Sequence, residues 1–93
     1  MRQIDFTKSA EKSLRRLAQS DQRIAKTIKA KLLELLQEPR PLDSLKIVGY
    51  PEYLRIRTGK YRIIYRYDDE RLYVVLIAKR EIVYAEFSNL MSK

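Results

Sequence analysis

Between Tyr53 and Tyr67 the chain reads YLRIRTGKYRIIYRY, alternating apolar and polar residues on either side of Thr58-Gly59-Lys60. That pattern predicts a β-hairpin, because side chains two apart on a strand share a face. Arg55 and Arg57 then lie together on the first strand, and Arg62 and Arg66 on the second. Leu54 and Ile56 face the other way, as do Tyr61, Ile63 and Tyr65. The hairpin carries five cationic side chains (Arg55, Arg57, Lys60, Arg62 and Arg66) and no acid. Such a surface calls for a polyanion.

The rest of the sequence builds a body around this ribbon. Ile4 and Phe6 share a face in a short first strand, Arg2 to Phe6. Thr7 or Ser9 can cap the helix that follows, and Glu11 suits its first turn. Ala10, Leu14, Leu17 and Ala18 recur at helical spacing. After a new cap at Ser20-Asp21, Ile24, Ile28, Leu32, Leu35 and Leu36 form the stripe of a longer helix ending near Glu38. So short a junction predicts an antiparallel helical hairpin. Residues 38–52 hold all three prolines and one of the two glycines, which marks a connection with Leu42, Leu45 and Ile47 tucked onto the body. Beyond the hairpin and a polar turn at residues 68–71, Leu72 to Lys79 (LYVVLIAK) reads as a central strand covered on both faces. The last segment holds Ile82-Val83-Tyr84 and a short helix through Leu90. The layout is α+β: β-α-α-β-β-β with a short C-terminal segment, a helical hairpin on one face of an antiparallel-rich sheet and arginines on the other.

Composition limits what this body can do. A chain of 93 residues supports a single domain, here residues 1–93, with one modest core. The 45% hydrophobic content favours folding despite 34% charged residues. A net charge of +8 points to nucleic acid or an acidic protein partner. Cysteine is absent, so disulfides and thiolate metal sites are excluded. Histidine is absent too, which removes the commonest metal ligand and the usual general base. No metal or other cofactor is expected. Nor does any apolar run suit a membrane span or a signal peptide, so the expected location is the cytoplasm.

Several of these elements resemble the RelE/ParE superfamily of bacterial toxins. The resemblance rests on the element order, the basic helical hairpin, Leu45-Lys46 ahead of Pro51, and Tyr61-Arg62-Ile63-Ile64-Tyr65. The hydrophobic last strand and the closing Lys79-Arg80…Val83-Tyr84 add to it. It implies a toxin of a type II toxin–antitoxin system. RelE-type members are metal-independent endoribonucleases that cut ribosome-bound messenger RNA, by attack of the 2′-hydroxyl on the adjacent phosphate. An antitoxin inhibits them, so a free monomer and a hetero-oligomer with antitoxin are expected. ParE-type members share the fold and act on DNA gyrase, and a catalytically inactive member would only bind RNA or antitoxin.

By position, the resemblance implies catalytic roles for Arg62, Arg80 and Tyr84, the last by stacking on a base. Arg55 stands where the family tends to have a lysine acting as base, and an arginine stays protonated. Arg57, Lys60, Arg66 and Lys79 complete the set as RNA-binding cations. Lys60, Lys79, Glu52 and Glu81 remain open as candidates for the base. The residues alone leave Arg55 and Arg57 open between a solvated strand face and a phosphate-binding one. The helix cations are open in the same way between a solvated face and contact with ribosomal RNA.

Overall fold

A computed structural model of the chain describes residues 2–92. The elements are β1 (Gln3–Phe6), α1 (Lys8–Ser20), α2 (Gln22–Gln37), β2 (Leu45–Ile47), β3 (Tyr50–Thr58), β4 (Tyr61–Tyr67), β5 (Arg71–Lys79) and α3 (Val83–Met91). The five strands form one sheet in the order β1-β5-β4-β3-β2. β1 runs parallel to β5, and the other pairs are antiparallel. The fold is α+β, as the pattern predicts.

Local chemistry sets the helix boundaries. The Thr7 hydroxyl accepts from the Ala10 N–H at 3.1 Å, which caps α1, and donates to the Val75 carbonyl at 2.6 Å. One side chain thus starts the helix and ties it to β5. Asp21 alone separates α1 from α2. Its N–H closes α1 onto the Leu17 carbonyl at 2.7 Å, and its carboxylate accepts from Ile24 to open α2. A one-residue junction leaves the helices no option but to fold back and lay their stripes on the sheet. Ala10, Leu17, Ile28, Leu32 and Leu35 pack there against Leu54, Ile56, Ile63, Tyr65, Leu72, Val74 and Ile77.

Four expectations need correcting. The connection contains a strand, β2, which pairs with β3 and adds an edge to the sheet. Ile47 is buried, but Leu42 is fully exposed and Leu45 half-exposed, so those two leucines do not tuck in. The middle strand is β4, although β5 is covered on both faces as its apolar run predicts. Finally, the face opposite the helical hairpin is not left to arginines. There α3 packs Val83 and Phe87 onto Ile47, Ile64, Val75, Leu76 and Ala78, a second and smaller core. A register shift between Ile64 and Tyr65 in the β4–β5 pairing lets Val75 and Leu76 both serve that side.

Tyr65 shows what the first core does to a polar group. The residue is fully buried, and its hydroxyl donates to the Pro39 carbonyl at 2.7 Å, holding the α2–β2 connection down. Burial pushes its pKa up from 10.0 to about 12. A folded-state pKa above the unfolded value means the contribution is complete below pH 10 and is lost as pH rises from 10 toward 12. In urea titrations, Tyr65→Phe is expected to cost about 1 kcal/mol at neutral pH, for the lost hydrogen bond. It should also remove part of the stability loss between pH 10 and 12. An unchanged alkaline slope in the variant would contradict this account.

Candidate active site

The arginine face owes its shape to the β3–β4 register. Arg57 pairs with Arg62, and Arg55 with Ile64. Cross-strand partners share a face, so Arg55, Arg57 and Arg62 rise together beside Ile64, which α3 covers. Gly59, at φ +61°, makes the tight turn that holds this register. The Arg62 guanidinium folds back over that turn, donating from Nη1 to the carbonyls of Tyr61 (3.0 Å) and Gly59 (3.3 Å). Its remaining donors are free for a ligand.

A cleft of about 440 Å³ opens here, lined by Asp43, Leu45, Arg55, Arg57 and Arg62. A second hollow of about 480 Å³ lies between β2 and α3, with Ile47, Tyr50, Tyr84 and Phe87 among its walls. Arg55 lines both. Its Cζ lies 5.6 Å from the centroid of the Tyr84 ring, which sits in the first turn of α3 and is 42% exposed. The arrangement offers guanidinium forks for a phosphate and, one side chain away, an accessible aromatic face for a base.

The remaining candidates scatter. Arg80 is tied by its backbone to the hairpin turn, its N–H donating to the Lys60 carbonyl at 3.0 Å. That places Arg80 and Lys60 at the Arg62 end of the sheet. The Arg80 guanidinium pairs with Glu81 at 3.1 Å, and both side chains are exposed. Glu81's own backbone N–H and Arg80 together hold its carboxyl below the usual range, making it a poorer base. Glu52 is exposed and does not line the cleft. Arg66 shares the face of Arg62 but is four residues along the strand, about 13 Å away. Ile64, under α3, stands between them, and the Arg66 guanidinium stacks over Tyr73 with Cζ 4.1 Å from the ring centroid. Lys79 pairs with Tyr61, which packs on the helix side, so the register puts Lys79 on the opposite face.

The structure thus assembles Arg55, Arg57, Arg62 and Tyr84, with Arg80 and Lys60 at one end, and leaves Arg66 and Lys79 outside. The model of the ParE toxin of the type II toxin–antitoxin system, parDE, matches residues 4–84. The chain belongs to the RelE/ParE superfamily of type II toxins. It is 33% identical over 82 residues to the mRNA interferase toxin RelE of Escherichia coli, covering 84% of this chain and 82% of that one. A mutant of the E. coli toxin RelE, solved in the free state, superposes with a TM-score of 0.74 at 30% identity, covering 95% of each chain. The toxin of the intact E. coli RelBE toxin–antitoxin complex matches at 30% identity and a TM-score of 0.70, over 85% of this chain and 96% of that one.

Two features of this toxin escape the sequence pattern. Asp43 reaches the arginine cleft because β2 pairs Leu45 with Arg55, which brings the preceding loop alongside. Recognising Leu45–Ile47 as a strand would have revealed it. Tyr50, Tyr53 and Phe87 form a cluster of edge-on rings, with centroids 5.2 to 6.4 Å apart, under the second hollow. The spacing of Val83 and Phe87, one helical turn apart, was the only signal of it.

Proposed function

We propose that this toxin is a metal-independent endoribonuclease that cuts ribosome-bound messenger RNA and is neutralised by a cognate antitoxin. The supporting observation is the convergence of Arg55, Arg57 and Arg62 on one cleft, with the exposed Tyr84 ring beside Arg55. In-line attack of a 2′-hydroxyl on the adjacent phosphate builds negative charge on the equatorial oxygens. Fixed guanidinium groups stabilise that charge more than the ground state, and this difference accelerates the reaction. Tyr84 stacks on a neighbouring base and sets the scissile phosphate over the arginines. Arg80 and Lys60 extend the cationic track past the hairpin turn. The O5′ leaving group departs, giving a 2′,3′-cyclic phosphate and a 5′-hydroxyl.

The exposed basic side of the helical hairpin (Lys8, Lys12, Arg15, Arg16, Arg23, Lys26 and Lys29) contacts ribosomal RNA phosphates, adding affinity and salt dependence. The toxin works in the cytoplasm with the ribosome. Among the described residues no helix is long and apolar enough to cross a membrane.

The donor set predicts indifference to chelation. Among the described residues no group of three or more His, Cys, Asp or Glu could hold a metal ion. EDTA added at a level that leaves the ribosomes intact should leave the cleavage rate unchanged; loss of cleavage would contradict the metal-free mechanism. A gyrase-directed reading has the ParE description of the matching family model behind it. A supercoiling assay separates the two, and the nuclease reading expects no inhibition of gyrase.

A further inference from the structure

The cleft poses a question that its arginines cannot answer, because guanidinium groups do not accept protons at working pH. Among the described residues lining it, Asp43 is the only acid. We propose that the Asp43 carboxylate is the general base that takes the 2′-hydroxyl proton. The inference rests on the nuclease reading above and deepens it.

Three observations carry it. Asp43 is held in place although its side chain is 62% exposed. The next residue, Ser44, is buried and donates to the Pro41 carbonyl from both its N–H (3.0 Å) and its hydroxyl (2.7 Å), closing the turn that contains Asp43. Tyr65 anchors the same loop through Pro39, and Leu45 is in register with Arg55. Second, no arginine of the cleft forms an ion pair with this carboxylate. Among the described residues its nearest cation is Lys31 of α2, at 4.0 Å, and Lys31 lies closer to Glu34, at 3.1 Å. A carboxylate beside unpaired guanidinium groups leaves their forks to the phosphate and keeps its own oxygens for a proton. Third, the other candidates are placed elsewhere: Lys60 at the hairpin turn and outside the cleft lining, Lys79 on the opposite face, Glu81 paired with Arg80, and Glu52 outside the cleft lining.

The step balances. The 2′-oxygen gives its proton to an Asp43 carboxylate oxygen and forms a bond to phosphorus. The P–O5′ bond breaks, and the 5′-oxygen takes a proton from water, which reaches the open cleft. The protonated Asp43 then returns its proton to solvent.

The test is cleavage of a defined messenger RNA on programmed ribosomes by wild type, Asp43→Asn, Asp43→Glu and Lys31→Met. Asp43→Asn is expected to lower kcat by about 10²–10⁴-fold with KM nearly unchanged. Asp43→Glu keeps a carboxylate and should stay within about tenfold of wild type. Lys31→Met removes the ion pair without touching the base and should cut normally, which separates a catalytic from a structural loss. Circular dichroism melts of each variant check folding. Normal cutting by Asp43→Asn overturns the proposal, as does faster cutting with tighter RNA binding, which would make Asp43 an occluding anion. If the wild-type toxin cuts nothing, the nuclease reading itself fails.

Discussion

Replacing Arg62 with alanine is expected to lower ribosome-dependent cleavage by at least about 10³-fold, or ~4 kcal/mol of transition-state stabilisation. Arg62 stands opposite Arg57 across the β3–β4 ladder, so the two arginines share one face of the hairpin. The fold has little stake in the side chain. Among the described residues its side-chain hydrogen bonds go to two carbonyls at the hairpin turn. The melting temperature and antitoxin binding of Arg62→Ala should therefore stay close to wild type. A variant that cuts at the normal rate would place the active face elsewhere. One that fails to fold would show that Arg62 holds the turn rather than the substrate.

The second large effect concerns α3. Phe87 is 3% exposed and meets Tyr50 and Tyr53 edge-on at 5.2 and 5.3 Å. A helix of nine residues does not persist alone in water, so the helix depends on this contact and on Val83. Phe87→Ala is expected to cost about 3–5 kcal/mol. Because α3 packs through the smaller core alone, the cost should appear mainly as local undocking. Amide exchange in α3 would accelerate by about 100-fold or more, while β4 and α2 keep most of their protection. Cleavage falls as well, since undocking removes Tyr84 from beside Arg55. If α3 exchanges as slowly as in wild type, the aromatic cluster is not what seats it.

Particular residues explain which parts of this architecture the sequence disclosed. The hairpin was legible because Leu54 and Ile56 alternate with Arg55 and Arg57, because Ile63 and Tyr65 repeat that spacing on β4 with Ile64 as the one apolar residue out of pattern, and because Gly59 marks the turn. The helices were legible from their stripes and from Thr7 and Asp21, which cap as expected. β2 was not, because a strand of three residues with two exposed carries no alternation to read. The second core hid for a different reason. Five consecutive buried positions would follow from cover on both faces, yet they do not reveal that the second cover is α3 or that a register shift turns Val75 and Leu76 the same way.

The site followed the same rule. Arg55, Arg57 and Arg62 were predictable as a set because strand periodicity and the tight turn at Gly59 together bring them to one face. Arg66 was drawn in by the same periodicity, which gives the face but not what covers its middle. Lys79 ends a strand of unbroken apolar residues, where no alternation signals its side; only its pairing with Tyr61 does. Asp43 reaches the cleft through a loop and an edge pairing, both distant from the hairpin in sequence.

A primer-extension map of a defined messenger RNA, incubated with purified toxin with and without programmed ribosomes, tests the central claim most directly. The account predicts cuts only when ribosomes are present, positioned within the codon in the A site. Absence of cuts in both reactions, or equal cutting of naked RNA, would contradict it.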